Sequence, residues 1–345
     1  MRFFHLLFIC LSIGLASCNS APEKTLSGLS PDAFNTELDG KAVSLYTLTN
    51  SHGMEVCITN YGGRVVSIMV PDRNGKMTNV AVGYDSLAHY LARPNSYGAT
   101  IGRFANRISD ASFTLDGHTY KLDRNTESSC LHGGTKGWRF QVYSAEKKDA
   151  STLVLRMDSP DGEMGFPGNI HAEVIYEVTE DNALDISYKA VTDRPTVLSM
   201  TNHTFFNLSG NTDREVTDNI LFVDADRYTP LGQDMTPTGD ILTVVGSGLD
   251  FTVPREIREK YDINLVLNHP GDTSIPAASL YAPDTGIRME VYTDQPGMQV
   301  YTRTNTVCLE SQLFPDSPNK PQWPSSVLRP GETYRHRCIY KFSYN

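Results

Sequence analysis

The chain has 345 residues, with 30 lysines and arginines against 40 aspartates and glutamates, a formal balance of −10. That sign disfavours a general attraction to nucleic acid or to anionic lipid and suits neutral ligands. The length accommodates one large all-β domain with a substantial core, and six cysteines spread over it do not make a disulfide scaffold.

The first 18 residues, MRFFHLLFICLSIGLASC, hold one basic residue and an apolar run too short to span a bilayer comfortably, which is the build of a signal peptide. Their end, Leu15-Ala16-Ser17-Cys18, resembles the bacterial lipobox, in which the cysteine becomes the lipidated first residue. The expectation is an exported bacterial lipoprotein of the cell envelope, facing the periplasm and tethered through acyl chains on Cys18. An ordinary cleaved signal with a chance cysteine is the alternative. Residues 19–35 are rich in small and turn-forming residues and read as a tether, and 36–345 as a single domain. Export leaves Cys57, Cys130, Cys308 and Cys338 in the folded part, read as small buried apolar residues with one bridge permitted. No CxxC pair or cysteine-histidine cluster suggests a zinc site.

From MEVCITNYGGRVVSIMVPD through SFTLDGHTYKLD, STLVLRMDS, HAEVIYEVT and ALDISYKAV to IRMEVYTD, β-branched and aromatic residues alternate or cluster as strands do. Hairpin signals stand between them at Asn74-Gly75, Asp116-Gly117, Asp161-Gly162 and Thr285-Gly286. Helical pattern is confined to residues 86–93 and 254–260. The fold class is therefore all-β, a large antiparallel β-sandwich with few short helices.

Polar clusters interrupt this pattern where packing does not require them. In IGRFANRIS, Arg103 and Arg107 flank Asn106, a combination suited to hydroxyls and carboxylates. In SCLHGGTKGW, His132 precedes two glycines that let the backbone bend and a ligand approach. In TNHTFFNLSG, strand alternation puts His203, Phe205 and Asn207 on one face. Asn202 and Asn207 also head glycosylation patterns, which bacterial export makes irrelevant. Asp262 stands before an apolar run, Gln295 stands at a turn, and Glu310 follows the inner-strand run Val307-Cys308-Leu309. A carboxylate carried inward by such a strand has its pKa raised toward the range useful for proton transfer. Each cluster alone is equally compatible with surface ion pairs, caps or a satisfied core histidine.

Taken in order, IGRFANRI, CLHGGTKGW, SPDGEMGFPG, TNHTFFNLSG, YDIN, EVYTDQPGMQVYT, CLESQLFPDSPNKPQWP and LRPGETYRH resemble the aldose 1-epimerase, or galactose mutarotase, family over residues 40 to 343. The resemblance implies a mutarotase-type supersandwich with an open cleft, and interconversion of the α and β anomers of a free aldose such as galactose or glucose. It implies Glu310 as catalytic base and His203 as acid, with Asn106, Arg107, His132, Asp262 and Gln295 holding the other hydroxyls. Phe205 and Trp138 are expected to offer apolar faces to the sugar, and Asn207 to help orient His203 or to finish the turn. The chemistry requires no metal or organic cofactor; the acidic loop at 158–163 leaves room for a structural divalent ion such as calcium. A small-molecule aldose is the expected partner and a monomer the expected state. The sequence departs from the family at Asp262-Ile263-Asn264, where histidine usually follows the aspartate, at Phe205, often tyrosine, and in the short segment between Gln295 and Glu310. The rival readings are a carbohydrate-binding lipoprotein without catalysis, a glycoside hydrolase using Asp262 and Glu310, and a relative acting on hexose 6-phosphates, which export and the lack of an added basic cluster disfavour.

Overall fold

A computed structural model describes residues 24–345. The signal-like segment, Cys18 and the first part of the tether lie outside the described residues. The expected tether gives way to the domain before residue 36. The backbone amides of Leu26 and Ser27 donate to the Glu55 carboxylate at 3.1 and 3.4 Å, and Phe34 is fully buried among Val43, Leu45, Tyr61 and Val66.

Two large antiparallel sheets make the body. One has nine strands, centred on Ile170–Val178, Ala183–Thr192, Tyr334–Tyr344 and Ile287–Thr293. The other has seven, with Asp262–Val266, Gly297–Arg303, Thr306–Gln312 and Phe205–Phe206 adjacent in that order. Strand alternation welds them together. Val174, Tyr176, Leu184 and Ile186 from the first sheet join Ile263, Leu265, Met298, Val300, Val307 and Leu309 from the second in one buried cluster.

The same alternation decides what the opposite face of the seven-stranded sheet carries. Ladder partners share a face, and the register pairs Asp262 with Tyr301, Gln299 with Glu310, and Arg303 with Thr306. Asp262, Gln299, Tyr301, Arg303 and Glu310 thus line up on the side away from the core. Thr201–His203 pairs with Ala99–Ile101, and Phe206 pairs with Val307, which brings His203 and Phe205 beside that array.

The turn signals act as expected where backbone geometry demands them: Asp116 and Gly117 both have positive φ, 51° and 78°, in the tight hairpin joining Ser112–Leu115 to His118–Lys121. A helix forms at Leu87–Ala92. The second expected helix, at 254–260, does not form; Arg255–Glu256 is an edge strand paired with Ile220 and Leu221, because the sheet edge offers hydrogen bonds that a seven-residue polar segment cannot supply for itself as an isolated helix. Cys57, Cys130, Cys308 and Cys338 are all buried and free. Among the described residues no helix is long and apolar enough to cross a membrane.

Candidate active site

A cavity of about 300 Å³ opens over the outer face of the seven-stranded sheet. Its wall includes Asn106, Arg107, His132, His203, Phe205, Asp262 and Glu310, so residues more than two hundred positions apart in sequence converge on one cleft. Gln295 is the exception. It is buried in the turn before Gly297–Arg303, where its amide donates to Asp294 at 2.9 Å. The glutamine that touches the site's residues is Gln299, four residues on: its Nε2 donates to Asp262 Oδ1 at 2.7 Å, and it sits directly across the ladder from Glu310.

Glu310 and His203 form the centre. His203 Nε2 lies 3.6 Å from Glu310 Oε1, with the side chains 7% and 2% exposed. Glu310 Oε2 and His203 Nδ1 are buried without hydrogen-bond partners. Burial pushes the Glu310 carboxyl well above the usual carboxylate range; the nearby Asp262 adds to this and Arg107 opposes it. Burial also pulls the His203 imidazole down to about 3, helped by the positive charges of Arg139, Arg303 and Arg64. Both directions favour the uncharged pair, with the shared proton on the carboxyl.

Asn106 and His132 both adopt left-handed backbone conformations, φ 62° and 53°, rare for residues with side chains. They hold each other there. The His132 amide donates to the Asn106 carbonyl at 2.9 Å, and the Asn106 amide donates to His132 Nδ1 at 3.1 Å. Because Nδ1 accepts, the neutral His132 ring carries its proton on Nε2 and offers it as a donor. Burial, with His203, Arg139 and Arg107 nearby, keeps this ring neutral by driving its pKa well below the ordinary value. The next residue, Gly133, is required: φ is 78°, and a Cβ would stand 2.1 Å from the Gly102 carbonyl oxygen. Arg107 reaches to 3.9 Å from Asp262.

Phe205 stacks on His203, with ring centroids 4.8 Å apart and planes 16° from parallel. Tyr301 and Arg303 also line the cleft, and the sequence reading missed both, as it missed Gln299. Their signal is the period-two pattern of Gln299-Val300-Tyr301-Thr302-Arg303, which becomes informative once one of them is known to face Glu310.

Trp138, Asn207 and Arg103 lie outside the cleft wall. Trp138 is 1% exposed and packs beneath Gly102, its Nε1 donating to Glu163; as the bulkiest apolar side chain of its segment it serves the interior. Of the two roles expected of Asn207, it takes the turn and not the orienting of His203: its amide donates to the carbonyls of Asn211, Arg214 and Asn305 and closes a loop. Arg103 turns away from the cleft and binds Ser159 and the carbonyls of Pro160 and Pro167. In the 158–163 loop the acids point to separate partners, Asp158 to His171, Asp161 to Arg194 and Glu163 to Ser159. Among the described residues no three His, Cys, Asp or Glu side chains cluster as metal ligands would.

With this geometry in place, comparison with known proteins is decisive. The family model described as Aldose 1-epimerase matches residues 44–341. The chain belongs to the aldose 1-epimerase family. It is 33% identical to the galactose mutarotase of Rattus norvegicus over 88% of this chain and 95% of that one. It is 32% identical to the aldose 1-epimerase of Escherichia coli K12, with 88% and 96% covered. Among solved structures, an aldose epimerase homologue from C. elegans superposes with a TM-score of 0.84 at 25% identity, covering 88% of this chain and 99% of that one. A galactose 1-epimerase from Lactobacillus acidophilus gives 0.79 at 25% identity, with 90% and 97% covered. For an aldose 1-epimerase family member, a cleft centred on one buried carboxyl and one buried imidazole is the arrangement that anomer exchange needs.

Proposed function

We infer that this protein is an aldose 1-epimerase, interconverting the α and β anomers of free aldohexoses such as galactose and glucose, with Glu310 and His203 moving the proton. The observation that carries the reading is the buried Glu310–His203 pair at 3.6 Å in a cleft also lined by donors and acceptors suited to hydroxyls.

Opening a pyranose moves one proton from the C1 hydroxyl to a base while the bond from C1 to the ring oxygen breaks and that oxygen takes a proton from an acid. Glu310 as carboxylate removes the first and His203 as imidazolium supplies the second. The outcome is a protonated Glu310 and a neutral His203, which is the same pair with its shared proton moved. Rotation about C1–C2 and closure on the other face of the carbonyl run the transfer backwards and restore the starting form. No net proton enters or leaves, so the pair works without solvent. Burial favours the neutral form in the empty cleft, while Arg107 and the incoming C1 hydroxyl favour the carboxylate. The neutral form of the empty cleft already includes the pull of Arg107, so the charged pair that starts the reaction forms as the sugar binds and its C1 hydroxyl donates to the carboxylate; each group then supplies about 10² to 10⁴ in rate. Asp262, held by Gln299, together with Arg107, Asn106 and the Nε2–H of His132, keeps the open chain in place.

The hydrolase reading fits less well. Asp262 is committed to the Gln299 amide and faces Arg107, an environment for gripping a hydroxyl. A binding role alone leaves the buried acid-base pair without a purpose. Polarimetry separates the three: freshly dissolved α-D-galactose should reach its equilibrium rotation faster with the protein, while an aryl galactoside, which cannot open, stays intact. Release of the aryl group would support hydrolysis, and binding without acceleration would support the third reading. The lipobox further supports a lipoprotein anchored through Cys18, delivering the correct anomer to uptake at the envelope. Partition of the full-length chain into detergent that is lost on Cys18→Ser tests this, and unchanged partition counts against it.

A further inference from the structure

Arg303 ends the strand Gly297–Arg303 at the mouth of the cleft and is held there in a defined pose. Its Nη1 donates to the Tyr97 hydroxyl at 3.0 Å, its Nε donates to the Tyr301 hydroxyl at 3.3 Å, and its guanidinium lies 5.0 Å above the Phe205 ring. Phenols orient a guanidinium without cancelling its charge. The other cleft arginine differs: Arg107 has Asp262 at 3.9 Å. Among the described residues no carboxylate lies within 4.0 Å of Arg303. A positioned and uncompensated positive charge thus faces a cavity that neutral hexoses alone do not require.

The position of this charge along the substrate follows from the order of groups. Glu310 serves the oxygen on C1 and His203 serves the ring oxygen; from the ring oxygen the sugar continues to C5 and its exocyclic C6. In the protein the sequence of contacts is Glu310 to His203 at 3.6 Å, His203 to Phe205 at 4.8 Å, and Phe205 to Arg303 at 5.0 Å. Arg303 thus lies on the His203 side of the pair, while Arg107 and Asp262 lie on the Glu310 side, and the His203 side is that of the ring oxygen and its C5–C6 arm. Beyond it the cleft meets a second hollow of about 500 Å³ that shares Asp262, Tyr301 and Arg303 and carries Lys260, so an enlarged C6 group has room and a second cation near it.

We propose that the cleft selects aldoses bearing an anionic group on C6, hexuronates foremost, and that Arg303 is the residue that grips the anion. The planar guanidinium fork matches a carboxylate, and a C6 phosphate shares the same chemistry. This rests on the placement of His203 at the ring oxygen. Anomeric exchange followed by NMR for D-galacturonate, D-galactose 6-phosphate and D-galactose, with wild type, Arg303→Gln and Arg303→Lys, tests it. Wild type should show a kcat/KM for galacturonate about tenfold above that for galactose, the worth of one charge-assisted hydrogen bond. Arg303→Gln should lower that ratio on the order of tenfold, chiefly through KM, and Arg303→Lys should keep part of it. A still higher value for the 6-phosphate would identify a phosphate ester as the anion and support the same charge assignment. Equal handling of galacturonate and galactose by wild type, or a ratio untouched by Arg303→Gln, overturns the proposal while leaving the epimerase reading intact. No accelerated exchange for any of the three sugars overturns both.

Discussion

Where the shared proton sits in the empty cleft can be read from stability as well as from activity. His203 titrates near 6.5 as an ordinary histidine and is pulled to about 3 by burial in the native chain. Between those values the unfolded chain binds a proton that the native one refuses, so the native state loses stability as pH falls from 6.5 toward 3. Working the linkage for one such site gives a cost of about 2 kcal/mol at pH 5 and nearly none at pH 8. His203→Gln keeps a polar side chain of similar size and removes the titration. Its stability relative to wild type should therefore improve by about 2 kcal/mol between pH 8 and pH 5. Urea unfolding followed by tryptophan fluorescence at the two pH values measures this, and the packing change of the substitution cancels in the comparison. The physical reason depends on Glu310, because only an uncharged carboxyl 3.6 Å away leaves the imidazole free to stay neutral. An identical stability difference at both pH values would mean that native His203 keeps its proton at pH 5 and Glu310 is ionised, which refutes the neutral pair.

Glu310→Gln should abolish most of the activity, by 10² or more, and its stability relative to wild type should rise from pH 5 to pH 8. The sign follows from the raised carboxyl pKa: the native chain keeps a proton that the unfolded chain releases, so wild-type stability falls as pH rises above the ordinary carboxylate range. Gln299→Leu should raise KM for the sugar about tenfold by taking the donor from Asp262, whereas Gln295→Leu should leave KM within about twofold; steady-state kinetics on the two variants decides between the positions. Gly133→Ala should cost about 1–3 kcal/mol in thermal unfolding, since a methyl group there meets the Gly102 carbonyl at 2.1 Å.

The sheet architecture was legible because period-two patterns and Gly turns are local signals, and the two elements that mattered most were legible for the same reason. Glu310 breaks an apolar strand run, and His203 sits amid aromatics on another, so each announces a polar group carried toward an interior. What local pattern lacks is register. Gln295 and Gln299 both follow Thr293 within a few residues, and only the pairing of Gln299 with Glu310 shows which of them stands behind the cleft and holds Asp262. Arg303 and Tyr301 were missed through the same gap. Trp138 was misassigned because apolar bulk alone does not distinguish a wall of a cleft from the core beneath it. The failed helix at 254–260 reflects a sheet edge formed with residues 220–221, more than thirty positions earlier.

The central claim is that Glu310 takes the C1 hydroxyl proton while His203 gives one to the ring oxygen, so that the single proton the pair holds ends on the other partner. Saturation transfer between the α and β anomeric protons of an aldose that the protein turns over, with wild type, Glu310→Gln and His203→Gln at matched concentration, tests it most directly. The account predicts exchange well above the spontaneous rate for wild type and near the spontaneous rate for both variants, with sugar binding retained. Exchange that survives in either variant would contradict it.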